Sequence, residues 1–184
     1  MKNFLSVIFL MGLVQTAFAS DIVCTPEVSV PDSVATELQY PSCIGLSKKL
    51  AIIAGYADQG QVLKVVSLEN SKIVTTLKKS QVQKNTLAEY ALKGNCGLAL
   101  MTSKIISETE ALVVFDNLNV LKWNFKENKA STLNSTYDPK TMYFCSGLEA
   151  GVDNYNDVVK LDTKKRTLTL QSLSRNDQSV VIKY

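Results

Sequence analysis

Short apolar runs separated by polar breaks recur over most of the chain. In the run Arg166–Leu170, Leu168 and Leu170 fall on one face of an extended chain. Thr167 and Thr169 fall on the opposite face, so this run predicts a strand with one buried side and one solvent-facing side. The β-prone runs are residues 50–56, 62–68, 72–77, 87–92, 98–102, 111–115, 120–125, 141–145, 158–161, 166–170 and 180–184.

A helical repeat of apolar residues is weak everywhere except at Ser80–Leu92, a stretch that overlaps the β-prone run 87–92. The many short runs, separated by polar turns, predict an all-β protein with antiparallel strands. We expect a single antiparallel β-barrel or sandwich domain of about ten to twelve short strands, stapled by two disulfides.

A cysteine beside a glycine and a leucine occurs three times, followed each time by a Val-Val pair. The cysteine groups are at residues 43–46, 96–98 and 145–148, and the Val-Val pairs are at 65–66, 113–114 and 158–159. Three such units suggest a three-fold β-trefoil-like alternative, whereas a propeller needs at least about four blades. The offset from cysteine to Val-Val shrinks from 22 to 17 to 13 residues. This irregularity favours the single barrel or sandwich over a true repeat.

The first residues predict a secretory signal peptide. Lys2 provides a positive start, Phe4–Val14 is mostly apolar, and Ala17-Phe18-Ala19 matches a small-x-small cleavage site. The apolar run is shorter than the roughly 20 residues that span a bilayer. We therefore expect residues 1–19 to be removed and the protein to be secreted or periplasmic, with no membrane span after cleavage.

Two further segments follow the predicted leader. Residues 20–42 contain Pro26, Pro31 and Pro41, and proline lacks the N–H that a central strand needs. We expect this segment to form an N-terminal arm, and residues 43–184 to form the all-β domain.

The four cysteines all lie beyond the predicted leader. An even number of cysteines in an oxidising compartment favours two disulfides, and no C-x-x-C motif suggests a metal or redox site. Of the three possible connectivities, we favour Cys24–Cys43 and Cys96–Cys145. The first would tie down the N-terminal arm, and the second would join similar positions in successive units.

Charge and composition exclude several classes of function. The chain has 20 basic and 17 acidic residues and no histidine. The small net charge, with both signs interspersed, gives no indication of a nucleic-acid-binding surface. Without histidine there is no Ser-His-Asp or Cys-His catalysis and no histidine zinc site. We predict no catalytic, cofactor or metal site.

The candidate binding residues are aromatic or loop residues in the later part of the chain. Trp123 and Tyr143 could stack on a sugar ring or anchor a partner. Trp123 lies on the more apolar face of its run, however, which favours core packing. Asp153 and Tyr155 lie in the polar loop Gly151–Asp157, whose acidic residues do not follow the spacing of a calcium-binding loop.

These observations favour an exported, soluble, non-enzymatic binding module for a protein, small-molecule or glycan partner. The alternative is a protein inhibitor of an extracellular or periplasmic hydrolase, such as a protease or a lysozyme. Tyr143-Phe144-Cys145 and the strand–turn–strand after it resemble small exported bacterial β-barrel proteins, including lysozyme inhibitors, over about thirty residues but without a specific inhibitory motif. A hydrolase that uses paired carboxylates ranks last.

Overall fold

The described part of the chain is built mostly from antiparallel strands. The computed structural model describes residues 21–57, 60–93, 98–116, 118–136, 158–172 and 178–184. The strands within these ranges are β1 (Ile22–Thr25), β2 (Val28–Val30), β3 (Gln39–Leu46), β4 (Leu50–Ala57), β5 (Gly60–Ser67), β6 (Ile73–Lys78), β7 (Leu100–Ile105), β8 (Glu110–Phe115), β9 (Val120–Asn124), β10 (Lys129–Asn134), β11 (Val158–Asp162), β12 (Thr167–Ser172) and β13 (Gln178–Lys183). The described helices are two 3-10 turns, Asp32–Ala35 and Lys79–Gln81, and α1 (Leu87–Ala91).

These strands form a hairpin and three larger sheets. The hairpin pairs β1 with β2, the first sheet has the order β3-β4-β5-β6, the second has the order β10-β9-β8-β7, and the third has the order β11-β12-β13. Every pairing joins strands that are neighbours along the chain, and every pairing is antiparallel. The prediction of an all-β antiparallel protein is therefore confirmed.

The expected barrel is wrong for the described strands. Each sheet is an open meander that keeps two edges, so no closed barrel forms among them. A four-stranded meander is also the unit from which a propeller blade is built. Rather than closing into a barrel, the sheets stack face to face, because each one is apolar on the side that meets its neighbour.

Three hydrophobic cores hold the stack together. The largest core lies between the first and second sheets and includes Ile52, Leu63 and Trp123. Another core lies between the second and third sheets, and a further one lies between the first sheet and residues 22–38. The first and second sheets are therefore covered on both faces. A strand covered on both faces has a continuous apolar sequence rather than an alternating one, as in Ala111–Phe115.

The Val-Val pairs do not occupy equivalent places in the three sheets. Val65-Val66 is in β5, the third strand of the first sheet, whereas Val113-Val114 is in the second strand of the second sheet. Val158-Val159 begins β11, the first described strand of the third sheet. Between the first and second sheets the pair therefore moves one strand earlier, which matches the shorter offset from the cysteine.

One β-prone run forms a helix instead of a strand. Residues 87–91 form α1, and the hydroxyl of Thr86 caps the helix by accepting a hydrogen bond from the Glu89 N–H at 3.3 Å. Leu87, Ala88 and Ala91 are buried in the largest core. The spacing of these buried residues fits a helical face, in agreement with the weak helical repeat over Ser80–Leu92.

The segment before the first sheet covers that sheet's outer face. Ile22, Val30 and Val34 pack against buried residues of β4 and β5. Gly55 of β4 allows a close approach, because a Cβ atom at this position would lie 2.9 Å from Cβ of Leu38.

A disulfide ties the same segment to the edge of the sheet. Cys24 of β1 is bonded to Cys43 of β3, with 5.1 Å between their Cα atoms. This pairing of the cysteines is confirmed. Cys96 and Cys145 lie outside the described residues, so the second pairing stays a prediction.

Lys64 of β5 is a buried charged residue under this covering segment. Only 3% of its side chain is exposed, and its ammonium group lies 2.9 Å from Oε1 of Glu37. The ammonium also donates a 2.8 Å hydrogen bond to the carbonyl oxygen of Val34. Two oxygens of the covering segment therefore satisfy Lys64, the only charged residue that is buried among those the structure describes.

The Glu37–Lys64 pair predicts a loss of stability in acid. The hydrogen bond from Lys64, and then its charge, hold the pKa of Glu37 below its ordinary value. The stabilisation is complete above the unfolded pKa of about 4.3 and is lost as the pH falls through the lower folded value. We expect Glu37→Gln to weaken this acid dependence of the urea midpoint between about pH 3 and 6. An unchanged slope in that variant would contradict the assignment.

Asn128 connects the second sheet to the outer strand of the first. Its Oδ1 accepts a hydrogen bond from Nε1 of the buried Trp123 at 3.2 Å, and its Nδ2 donates to the carbonyl oxygen of Thr76 in β6 at 2.9 Å. Asn128 has a positive φ of 48°, a conformation that asparagine tolerates better than most residues. The Asn128 side chain thus provides hydrogen-bond partners for a buried indole N–H and for one backbone carbonyl at a sheet edge.

We expect Asn128→Ala to lower the free energy of unfolding by about 2–3 kcal/mol, because it removes both hydrogen bonds and alanine tolerates positive φ less well than asparagine does. Asn128→Gly removes the same bonds without the strain and should cost less. Asn128→Asp keeps the acceptor for Trp123 and replaces the donor to Thr76 by an oxygen that the Thr76 carbonyl repels. Urea denaturation of the three variants measures each contribution, and a wild-type stability for Asn128→Ala would contradict this role.

Candidate binding cleft

A cleft of about 400 Å³ opens where the first strands of the first and second sheets meet. Its lining consists of residues 43–46 of β3, residues 102–105 of β7, Leu161 of β11, and Cys24. The disulfide Cys24–Cys43 therefore forms part of its wall. All three larger sheets contribute to this one depression.

The two edge strands approach closely because Gly45 has no side chain. A Cβ atom on Gly45 would lie 2.1 Å from Oγ of Ser103 and 3.3 Å from its Cβ. The hydroxyls of Thr102 and Ser103 both donate to the carbonyl oxygen of Ile44, at 3.2 and 3.3 Å. Side chains of β7 thus use a free acceptor on the edge of β3, and the cleft lies beside this contact.

We expect Gly45→Ala to lower the free energy of unfolding by about 1–2 kcal/mol, because the Ser103 hydroxyl must rotate away and lose its hydrogen bond. In a Ser103→Ala background the obstructing oxygen is absent, so the same change should cost less. A double-mutant cycle by urea denaturation measures the difference. Equal costs in the two backgrounds would contradict a direct contact between these residues.

Among the lining residues that the structure describes, one side chain is charged and none is a carboxylate. Lys104 is half-buried and has no ion-pair partner among the described residues. Other lysines near the sheet ends are paired: Lys49 with Glu108, and Lys122 with Glu110 at 3.0 Å. The pKa of the Glu108 carboxyl is lowered by the hydrogen bond from Lys49 and by its charge. Lys104 therefore gives the cleft a positive charge that the lining itself does not neutralise.

The other walls of the cleft are mainly apolar. Ile44 and Leu46 line the β3 side, Ile105 lines the β7 side, and Leu161 lines the β11 side. The arrangement is a shallow site with aliphatic walls, two hydroxyls and one cation.

A second depression lies on the second sheet and is strongly polar. It has a volume of about 270 Å³ and is lined by Glu110, Lys122, Asn124, Glu127, Lys129 and Ser131. The Glu110 carboxylate is engaged by the Lys122 ammonium. No group of three or more acidic or cysteine side chains arranged to hold a metal ion occurs within the described ranges.

The structure describes one of the four binding residues predicted from the sequence, Trp123, and that residue does not line the cleft. Trp123 is fully buried between the sheets, with its ring 5.1 Å from that of Phe125 in an edge-on contact. Its indole therefore packs in the core and does not reach a binding surface, as the apolar face of its run suggested. Tyr143, Asp153 and Tyr155 lie outside the described residues.

Tyr40 is an exposed aromatic residue that the sequence reading missed. It is 85% exposed and has a positive φ of 52°, directly before Pro41 on the bulged edge strand β3. A tyrosine in this conformation is strained, and such strain is tolerated only where the surroundings fix it. Pro41 is the sign of this unusual edge in the sequence. The broken register of β3 is the sign of it in the structure.

The sequence matches no protein-family model and no curated protein. The fold and the cleft therefore establish the structural class of this protein: it is an all-β protein of stacked antiparallel meanders with a disulfide. Among the helices that the structure describes, none is long and apolar enough to cross a membrane.

Proposed function

We propose that this protein is a non-enzymatic binding protein, and that its ligand is a small anionic molecule held in the cleft between β3 and β7. The observation that carries the proposal is Lys104, a half-buried cation with no carboxylate among the described residues that line the cleft with it. A cation shielded from water is stabilised by an anionic partner more strongly than a fully solvated one.

The size and the walls of the cleft support the same proposal. Its volume of about 400 Å³ falls within the range of roughly 300–1,000 Å³ typical of small-molecule sites. Ile44, Ile105 and Leu161 offer aliphatic contact to the non-polar part of a ligand. The expected ligand thus has a carboxylate or phosphate group at one end and a compact carbon skeleton.

Thermal unfolding with a panel of probes tests this function. The probes are simple carboxylates, sugar phosphates and neutral sugars, all at one ionic strength. We expect anionic probes to raise the Tm of the wild type, and Lys104→Met to remove the rise. Lys72→Met is the matched control, because it removes an equal charge from an exposed lysine outside the cleft. An equal rise with neutral sugars, or a full rise in Lys104→Met, would overturn the proposal.

Tyr40 favours a second candidate function, inhibition of a hydrolase. An exposed aromatic side chain on a conformationally fixed edge strand is the kind of residue that anchors a protein interface. Inhibition of proteases and lysozymes by the wild type, lost in Tyr40→Ala but kept in Tyr56→Ala, would support this candidate. Tyr56 is the control because it lies on β4 opposite Gln39 and is 39% exposed. Absence of inhibition across the panel would reject it.

We place the site of action outside the cytoplasm, in a secreted or periplasmic location. The disulfide Cys24–Cys43 supports this assignment, because such bonds persist in oxidising compartments. The leader predicted at residues 1–19 supports it independently. Fractionation of cells followed by mass measurement of the mature chain tests both points.

A further inference from the structure

The last strands of the three sheets, β6, β10 and β13, form their outer edges. These edges differ in how they are protected against pairing with another chain. Irregular register interrupts the pairing that involves β6, and the Thr76 carbonyl on that strand is bonded to Asn128. An irregularity also interrupts β10, and α1 lies against this strand. By contrast, β13 pairs with β12 without a bulge over all six residues and contains no proline. Among the three described outer edges it has the fewest of the usual protections against pairing with another chain, with Lys183 as its one charged side chain.

The direction of the free backbone groups on β13 follows from one hydrogen bond. The Tyr184 N–H donates to the Arg166 carbonyl oxygen at 3.2 Å, so the backbone of residue 184 faces β12. Alternation along an antiparallel strand then directs the N–H and C=O groups of Ser179, Val181 and Lys183 away from the sheet. Among the described strands, none pairs with this edge.

We propose that β13 is a self-association site, at which the β13 strands of two copies of this chain pair antiparallel about a two-fold axis at Val181. In this register all seven residues from Gln178 to Tyr184 have a partner. The outward backbone groups of residues 179, 181 and 183 face those of residues 183, 181 and 179 in the second copy. Each copy therefore satisfies three donors and three acceptors that are otherwise left to water.

The side chains of β13 are complementary to themselves in this register. Val181, which is 62% exposed, meets Val181 of the second copy. Val180 meets Ile182, so the apolar face that packs on Leu168 and Leu170 continues across the axis. Lys183 lies opposite Ser179 and not opposite a second lysine. Because no like charges face each other in this register, we infer that the strand pairing with the edge of β13 belongs to a second copy of the chain.

Sedimentation velocity over a range of concentrations tests the association. We expect the wild type to shift from monomer to dimer as its concentration rises, and Val181→Lys to remain monomeric because it opposes two lysines at the axis. Val23→Lys is the matched control, since Val23 is 68% exposed on β1 and the charge change is equal. A wild type that stays monomeric at every concentration would overturn the proposal, leaving the edge for an extended segment of another protein.

Cysteine cross-linking tests the register itself. Residues paired directly across the axis have Cα atoms about 5.5 Å apart, within the range that a disulfide requires. We expect Val181→Cys to form a covalent dimer under mild oxidation. Ser179→Cys should not, because its opposite residue is Lys183 and its own copy lies four residues away. Equal cross-linking of the two variants would show that this strand has no such register and would overturn the proposal.

Discussion

We expect replacing both Cys24 and Cys43 by alanine to lower the free energy of unfolding by roughly 3 kcal/mol. The bond closes a segment with a sequence separation of 19 residues, and restricting a loop of this length in the unfolded chain is worth about that amount. The bond also holds β1 against the edge of the first sheet, so its loss releases the segment that covers that sheet. Urea denaturation of the double variant, without reductant, measures the effect.

A reductant provides the control for the disulfide. It should destabilise the wild type by at least as much as the double substitution does. Any further loss that reductant causes in the double variant would report on the predicted Cys96–Cys145 bond. A double variant as stable as the oxidised wild type would mean that packing alone holds the N-terminal segment in place.

We expect replacing Lys64 by alanine to lower the free energy of unfolding by about 2–4 kcal/mol, an effect comparable to truncating a buried methionine. The aliphatic stem of Lys64 fills space between β5 and the covering segment, and its ammonium satisfies the carbonyl oxygen of Val34. Alanine leaves both a cavity and an unsatisfied acceptor. Chemical denaturation at neutral pH measures the loss.

Lys64→Met separates the packing of this side chain from its charge. Methionine keeps most of the volume and removes the cost of burying a charge, but like alanine it leaves the Val34 carbonyl oxygen without its donor. Glu37 remains solvated because its side chain is 64% exposed. We therefore expect Lys64→Met to cost about 1–2 kcal/mol, less than Lys64→Ala. Equal losses for alanine and methionine would show that the ion pair, and not the packing, carries the stabilisation.

Features that depend on residues adjacent along the chain were predictable from the sequence. Alternation in Arg166–Leu170 indicated a strand with one buried side, and Leu168 and Leu170 are fully buried. The apolar setting of Trp123 indicated core packing, and its side chain has no exposed surface. The Cys24–Cys43 bond was predictable because it joins the segment rich in proline to the first cysteine of the domain.

Features that depend on how the sheets stack were not predictable. The cleft exists because Gly45 meets Ser103, and the hydrogen bond beside that contact joins residues 59 positions apart. Nothing in the pattern around Lys104 distinguishes it from the other lysines of the chain. Lys64 interrupts an apolar run, and lysine side chains in strands are mostly exposed to solvent. Its burial becomes clear only when residues 22–38 are placed over that face.

The coverage of both faces of β4 and β5 sets the order in which the molecule opens. Most of the residues in these two strands are buried, and each strand has a hydrogen-bonded neighbour on both sides. We expect their amide protons to exchange with solvent only when the whole protein unfolds, whereas in the monomer those on the outer edge of β13 should exchange through local fluctuation. Deuterium labelling would therefore proceed from the third sheet inward, and the first sheet would retain its protons longest.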